Sequence, residues 1–293
     1  MIYDVRQTTT YSYASKVAFA HHVLRLTPTN RTRQRVHATA LEIEPRPSER
    51  REAQDFFGNH LTRIELNEPH DRLVVTAIAR VKVDAIEPPS PLATPAWEEL
   101  RTKAFAIADI GPTSPAHFLF PSRLVSLDPE IRDYAASSFA PRRPVLDGAI
   151  DLMRRFKADF VYEIGSTSVT TTPPMSFALR RGVCQDFAHI MISGLRGLGL
   201  PAAYVSGYLR TDPRGSAARL EGADAMHAWV KVWCGEAAGW YDLDPTNAIL
   251  ADTSHIALAV GRDYADIAPI DGVVFASGRQ RLDVAVSVRE VGN

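Results

Sequence analysis

One cysteine, one strand-borne histidine and a pair of aspartates, in that order, form the most chemically loaded pattern in this chain. Cys184 lies in Arg181-Gly182-Val183-Cys184-Gln185-Asp186-Phe187-Ala188, where an amphipathic helix begins. The first N–H groups of a helix have no intrahelical partner, and the helix start carries partial positive charge. Both features favour thiolate over thiol, and the thiolate is the nucleophile. Downstream, residues 226–234 alternate. His227, Trp229, Lys231 and Trp233 share one face, while Met226, Ala228, Val230, Val232 and Cys234 make an apolar reverse face. In the following strand Trp240, Asp242 and Asp244 share a face, and the connection 235–239 is short enough for a hairpin. Antiparallel pairing then brings one of the aspartates beside His227. Thiolate, imidazole and a carboxylate that fixes the ring tautomer are the parts of a nucleophile–base–orienter set.

Each part also has a plain structural reading. Free cysteines are mostly small buried hydrophobes, strand histidines pack, and Asp-Pro-Thr after a strand is an ordinary turn. The ordered set carries the weight. His189 is excluded as the base, because five residues along a helix place it roughly 140° around the axis from Cys184. His21-His22 has no cysteine or acid cluster at metal-ligand spacing, so no metal is expected. Gly194, Gly197 and Gly199 fall within or at the end of a helix and do not form a phosphate loop, and no other cofactor is expected.

The elements that must position these residues come in two blocks. Residues 3–13, 23–28, 36–43, 61–66 and 72–83 read as strands, separated by proline, glycine and asparagine turns, and suggest a β-sandwich. The proline-rich stretch Ile86-Glu87-Pro88-Pro89-Ser90-Pro91-Leu92 reads as a linker, dividing the chain into an N-terminal β domain, 1–88, and a core, 89–293, that includes the C-terminal strands. Thr94 is expected to cap a helix starting at Pro95, and Asp128-Pro129-Glu130 starts a helix running to about residue 139. Residues 143–160 carry an apolar helical face, and 165–174 reads as loop. In the Cys184 helix, Phe187, Ile190, Met191, Gly194, Leu195 and Leu198 form one stripe, stopped by Gly199 and Pro201. Strands follow at 202–209, 226–234, 240–243, 255–260, 272–275 and 282–288. Helices first and strands afterwards argue for an α+β class.

The 293 residues with a net charge of -1 carry no basic run of the kind that binds nucleic acid. Two cysteines, Cys184 and Cys234, cannot build a disulfide framework. With no leader-like start and no membrane-length apolar run, a cytoplasmic protein without membrane partners is expected.

The chain resembles the transglutaminase-like superfamily, in the bacterial form with an N-terminal β domain. The resemblance rests on residues 181–189, Gly199 to Tyr208, His227-Ala228-Trp229-Val230, residues 240–247 and 260–266. At the front it rests on Leu24-Arg25-Leu26-Thr27-Pro28, Phe57-Gly58-Asn59 and Pro69-His70. It implies a papain-like core with Cys184 as nucleophile, His227 as base and Asp244 as orienting carboxylate, with Asp242 as fallback. Gln185, Asp242 and Trp229 are further oxyanion or cleft candidates. Gln185 stands where animal members carry tryptophan, and the absence of a Cys-x-x-Cys pair disfavours the zinc-bearing branch. The expected activity is thiol-dependent acyl transfer on a peptide or protein amide, by hydrolysis or by glutamine cross-linking, with a non-catalytic scaffold as the alternative. The Gly261-Arg262-Asp263-Tyr264 run is read either as cleft lining or as a turn with a surface ion pair.

Overall fold

The computed structural model describes residues 1–85, 87, 90–210 and 226–292. Ile86, Pro88 and Pro89 of the expected linker lie outside the described residues. The class is α+β. Six strands open the chain: β1 (Ile2–Val17), β2 (Phe19–Leu24), β3 (Gln34–Glu44), β4 (Glu49–Gln54), β5 (His60–Leu66) and β6 (His70–Val83). Alternating apolar residues, such as Val5, Leu24, Ile64, Leu73, Val75 and Val81, make the core between two sheets. β4 had no counterpart among the expected strands. Its sequence Glu-Arg-Arg-Glu-Ala-Gln lacks an apolar alternation because it is an edge strand, where charge discourages further pairing.

The core then runs through α1 (Trp97–Phe105), α2 (Pro129–Ala136), α3 (Val145–Asp159), β7 (Val161–Tyr162), α4 (Pro173–Leu179), β8 (Arg181–Gly182) and α5 (Cys184–Gly197). It continues as β9 (Ala202–Leu209), β10 (Met226–Trp233), β11 (Trp240–Asp244), β12 (Ile249–Leu250), β13 (His255–Gly261) and α6 (Tyr264–Ile267). The chain ends in β14 (Ile270–Phe275) and β15 (Gln280–Val291). The division at 88/89 placed these last two strands with the core, but they pair with strands of the N-terminal sandwich. β15 pairs antiparallel with β1 from Ile2↔Val291 to Tyr13↔Gln280, and β14 pairs with β2. The sandwich sheets are thus β15-β1-β6-β3 and β14-β2-β5-β4. The chain's end satisfies backbone groups on β1 and β2 that would otherwise form open edges.

Two local expectations change as well. α1 begins at Trp97 without a side-chain cap, and the Thr94 hydroxyl instead accepts from the Leu146 N–H at 3.2 Å, capping the first turn of α3. Pro173 and Pro174 do not close a loop; they open α4, where a missing N–H costs nothing. Asp128 does cap α2, accepting from Glu130 and Ile131 at 2.9 and 3.1 Å.

α5 is buried on nearly every side, as a helix at the centre of a core should be. α2 crosses it at Gly194, where a Cβ would lie 2.8 Å from that of Ala135. Its stripe packs with Ala228, Val230 and Val232 of the five-stranded sheet β12-β11-β10-β9-β13, and with Cys234 just past the end of β10. The sandwich packs against the same sheet through Tyr208, Ile256 and Leu258. Two buried carboxamides reinforce that contact by replacing a missing neighbour strand. Gln34 bonds both the N–H and the C=O of Ala257 at 2.9 and 2.8 Å, and Asn59 does the same to Val260 at 2.8 and 2.7 Å. No helix among the described residues is long and apolar enough to cross a membrane.

Candidate active site

Cys184 is the first residue of α5, and the segment before it is shaped to deliver it there. α4 closes at Arg180, a non-glycine residue with φ 53°, whose guanidinium lies 4.0 Å over the Phe177 ring and 4.8 Å over Phe160. That cation–aromatic stacking offsets the left-handed backbone. Arg181-Gly182 then runs parallel to Val161-Tyr162. Glycine is required at 182 because a Cβ would lie 2.7 Å from the Asp186 carboxylate. That carboxylate accepts from the Val183 N–H at 2.9 Å and from the Thr167 hydroxyl at 2.6 Å. Asp186 thereby ties both the helix entry and the polar loop 163–172 to the turn that presents the thiol. Burial raises its pKa against the pull of those hydrogen bonds.

His227 comes from the start of β10. β10 and β11 pair antiparallel with Val230↔Leu243 and Lys231↔Asp242, and this register decides which aspartate meets the ring. Continued outward, it sets Asp244 opposite Trp229, on the His227 face and diagonal to it. Asp242 lies opposite Lys231 and forms an ion pair with it at 2.8 Å. Lys231 is four residues from His227, about 13 Å along a strand. The structure therefore brings Asp244 to His227, with Oδ2 2.8 Å from Nε2, and leaves Asp242 away from it.

The Asp244 carboxylate is bonded on both oxygens. Oδ1 accepts from the backbone of Thr246 and Asn247 at 2.9 and 3.3 Å, and Oδ2 also accepts from the Asn247 side chain at 2.7 Å. The Asp-Pro-Thr turn and the orienting carboxylate are thus one feature. A further residue, absent from the sequence expectations, contacts the same oxygen: His255 Nε2 lies 3.3 Å from Oδ2. The available signal was a histidine at the start of a strand, one position nearer the strand's first residue than His227 in β10.

Electrostatics follow from this burial. Desolvation works to lower the His227 pKa, but the charge and hydrogen bond of Asp244, followed by the hydrogen bond and charge of Cys184, raise it to about 10. Desolvation likewise pushes Asp244 up, yet the two histidines hold it well below the ordinary carboxylate range. Since Nε2 is committed to Asp244, the nitrogen left for Cys184 is Nδ1, which is buried and has no hydrogen-bond partner among the described residues. Both His227 and Asp244 side chains are fully buried, whereas Cys184 is partly exposed. His227, Asp244 and His255 also bring three potential ligand atoms within 4.8 Å of one another. They are already hydrogen-bonded among themselves, with side chains at most 1% exposed, and read as a hydrogen-bond cluster.

The other candidates fall elsewhere. Trp229 does not line a cleft; it is buried behind His227, over Gly207 and edge-on to His255 at 5.3 Å. The Gln185 amide is turned toward the Val169 carbonyl at 3.5 Å. His189 is buried and accepts from the Tyr264 N–H at 3.2 Å, which requires the neutral ring, and burial lowers its pKa to about 4. Cys234 is buried, with its thiol pushed up to about 12 by desolvation. Arg262 pairs with Asp266 at 2.8 Å, and Asp263 caps α6 and accepts from the Leu124 N–H at 2.7 Å. That run pins the core together; it does not back the triad.

Residues 3–82 match the bacterial transglutaminase-like N-terminal region, and residues 132–245 match the transglutaminase-like superfamily. An uncharacterized protein of Mycobacterium tuberculosis is 38% identical, with 98% of this chain and 92% of the relative aligned. A protein-glutamine gamma-glutamyltransferase of Pseudomonas aeruginosa is 32% identical over 41% of this chain and 19% of its own length. Among solved structures, a proposed cysteine protease from Cytophaga hutchinsonii superposes with a TM-score of 0.77 at 22% identity, covering 100% of this chain and 91% of that one.

Proposed function

The chain belongs to the transglutaminase-like superfamily, and on that premise we propose that it is a thiol-dependent acyl-transfer enzyme that hydrolyses a peptide or protein amide. The observation that carries the reading is the fully buried His227, bonded to Asp244 on one nitrogen and facing the partly exposed Cys184 with the other. A raised imidazole pKa means that the ring holds its proton at neutral pH, ready to give it to a departing amine.

In the first step the Cys184 sulfur bonds to the substrate carbonyl carbon, and the oxyanion forms next to the Cys184 N–H, an orphan donor of the first helical turn. The C–N bond then breaks as His227 gives its proton to the departing amine. Asp244 holds the ring in place and stabilises its charged form. Water adds to the thioester, returns a proton to His227, and releases the carboxylic acid and the thiolate. Hydrolysis is favoured because water is always present, and no residue around Cys184 among the described residues marks an amine-binding site.

The test is amide turnover with a peptide library, for wild type and Cys184→Ala. Wild-type turnover abolished in the variant is expected; equal turnover in both sinks the proposal. Adding an excess of a primary amine separates the two outcomes of the thioester, since a cross-linking transferase would convert product from acid to amide.

A further inference from the structure

Asp244 Oδ2 serves two imidazoles at once, and only one of them belongs to the proposed triad. We infer that His255 is a positioning residue of the active site, clamping the Asp244 carboxylate from β13 so that it stays aligned on His227. Its side chain is 1% exposed and its two nitrogens have separate tasks. Nε2 donates to Asp244 Oδ2 at 3.3 Å, because an ionised carboxylate can only accept. Nδ1 lies 3.3 Å from both the Asp252 N–H and the Asp252 carboxylate, so the ring is anchored at each end. The Trp229 ring packs against both histidines, edge-on to His255 at 5.3 Å and 6.2 Å from the His227 ring, while the two imidazole centres are 6.3 Å apart.

The titratable groups facing His255 are Asp244 from β11, Asp252 from the β12–β13 turn and His227 from β10. Asp244 and Asp252 favour a charged His255, while burial and the His227 charge oppose it. The strand that carries His255 is itself held by the sandwich, through Gln34 on Ala257 and Asn59 on Val260. A route of direct contacts therefore runs from the N-terminal domain to the nucleophile, through β13, His255, Asp244 and His227. This gives the sandwich a part in the site that its own sequence does not advertise.

The consequence for reactivity rests on the acyl-transfer reading, so the experiment reads the thiol without needing a substrate. The rate of Cys184 alkylation by iodoacetamide is measured by intact mass from pH 5 to 10 for wild type, His255→Phe and His255→Gln. Thermal unfolding is followed in parallel. Phenylalanine keeps ring volume without a donor; glutamine restores an N–H near the Nε2 position. His255→Phe should lose about 10-fold of the alkylation rate at pH 6 relative to pH 9, the low end for one hydrogen bond to a charged group. His255→Gln should recover most of it. Wild-type profiles in both variants overturn the inference, and so does an equal loss in both, which would mark a packing role. Wild-type protein that reacts only above pH 8 would instead count against the acyl-transfer reading, independently of how the variants compare.

Discussion

Replacing Asp244 with asparagine isolates the charge on which the site depends. The substitution keeps an oxygen for the Thr246 and Asn247 N–H groups but turns an NH2 toward His227, His255 and the Asn247 amide, all donors. The His227 pKa rises from 6.5 to about 10 in the native site. At about 1.4 kcal/mol per tenfold, that rise is worth about 5 kcal/mol in favour of the imidazolium. Without the carboxylate, burial pushes the ring the other way and Cys184 still opposes it, so the His227 pKa should fall well below its native value. The assay is a pH titration by NMR of ring-labelled histidine, with His227→Gln identifying the signal. Wild-type His227 should stay charged at pH 8 and titrate near 10, whereas the variant ring should lose its proton at a markedly lower pH. The stability effect has a defined window. The His227 contribution is complete below 6.5 and fades as pH rises through about 10, and that of Asp244 is complete above 3.8 and fades as pH falls through its depressed folded value. Asp244→Asn should therefore cost about 3–5 kcal/mol by denaturant unfolding at pH 7, the range for breaking a buried pair, and less at pH 11. An unchanged His227 titration in the variant would refute the reasoning.

Three further outcomes follow from the same structure. Gln34→Ala strips both the N–H and the C=O of Ala257 of their partner, and unfolding by denaturant should show a loss of about 2–4 kcal/mol, the cost of two unsatisfied buried groups. Gly182→Ala drives a methyl group into the Asp186 carboxylate; it should cost about 1–3 kcal/mol, as overpacking does, and slow iodoacetamide labelling of Cys184. Asp242→Ala breaks a partly exposed ion pair with Lys231 and removes one of the charges that favour the buried Arg31 guanidinium, so stability should fall modestly, by about 1 kcal/mol, while the pH profile of labelling should not move.

The parts of the site that were legible in the sequence are those set by local periodicity. A cysteine at the start of a 3.6-residue stripe and a histidine on the polar face of an alternating strand need only their neighbours to be placed. The choice between Asp242 and Asp244 needed the β10–β11 register, since alternation gives both the same face and the family resemblance alone separated them. His255 could not be seen because its partner lies eleven residues upstream on another strand, across a turn whose geometry no local pattern reports. The same holds for β15. Its alternation identified a strand, but pairing with β1 spans nearly the whole chain, and the proline-rich stretch at 86–92 pointed to a clean two-part division that the sheet order does not follow. Thr94 shows the effect on a small scale: a good cap sequence next to one helix serves the first turn of another.

The most direct test of the central claim is to trap the acyl-enzyme. Protein mixed with an activated acyl ester and quenched in acid is weighed intact and then mapped by peptide. A single acyl group on Cys184, released by hydroxylamine and missing in Cys184→Ala, is the predicted result. No adduct on the wild-type protein, or the same adduct on the alanine variant, would contradict it.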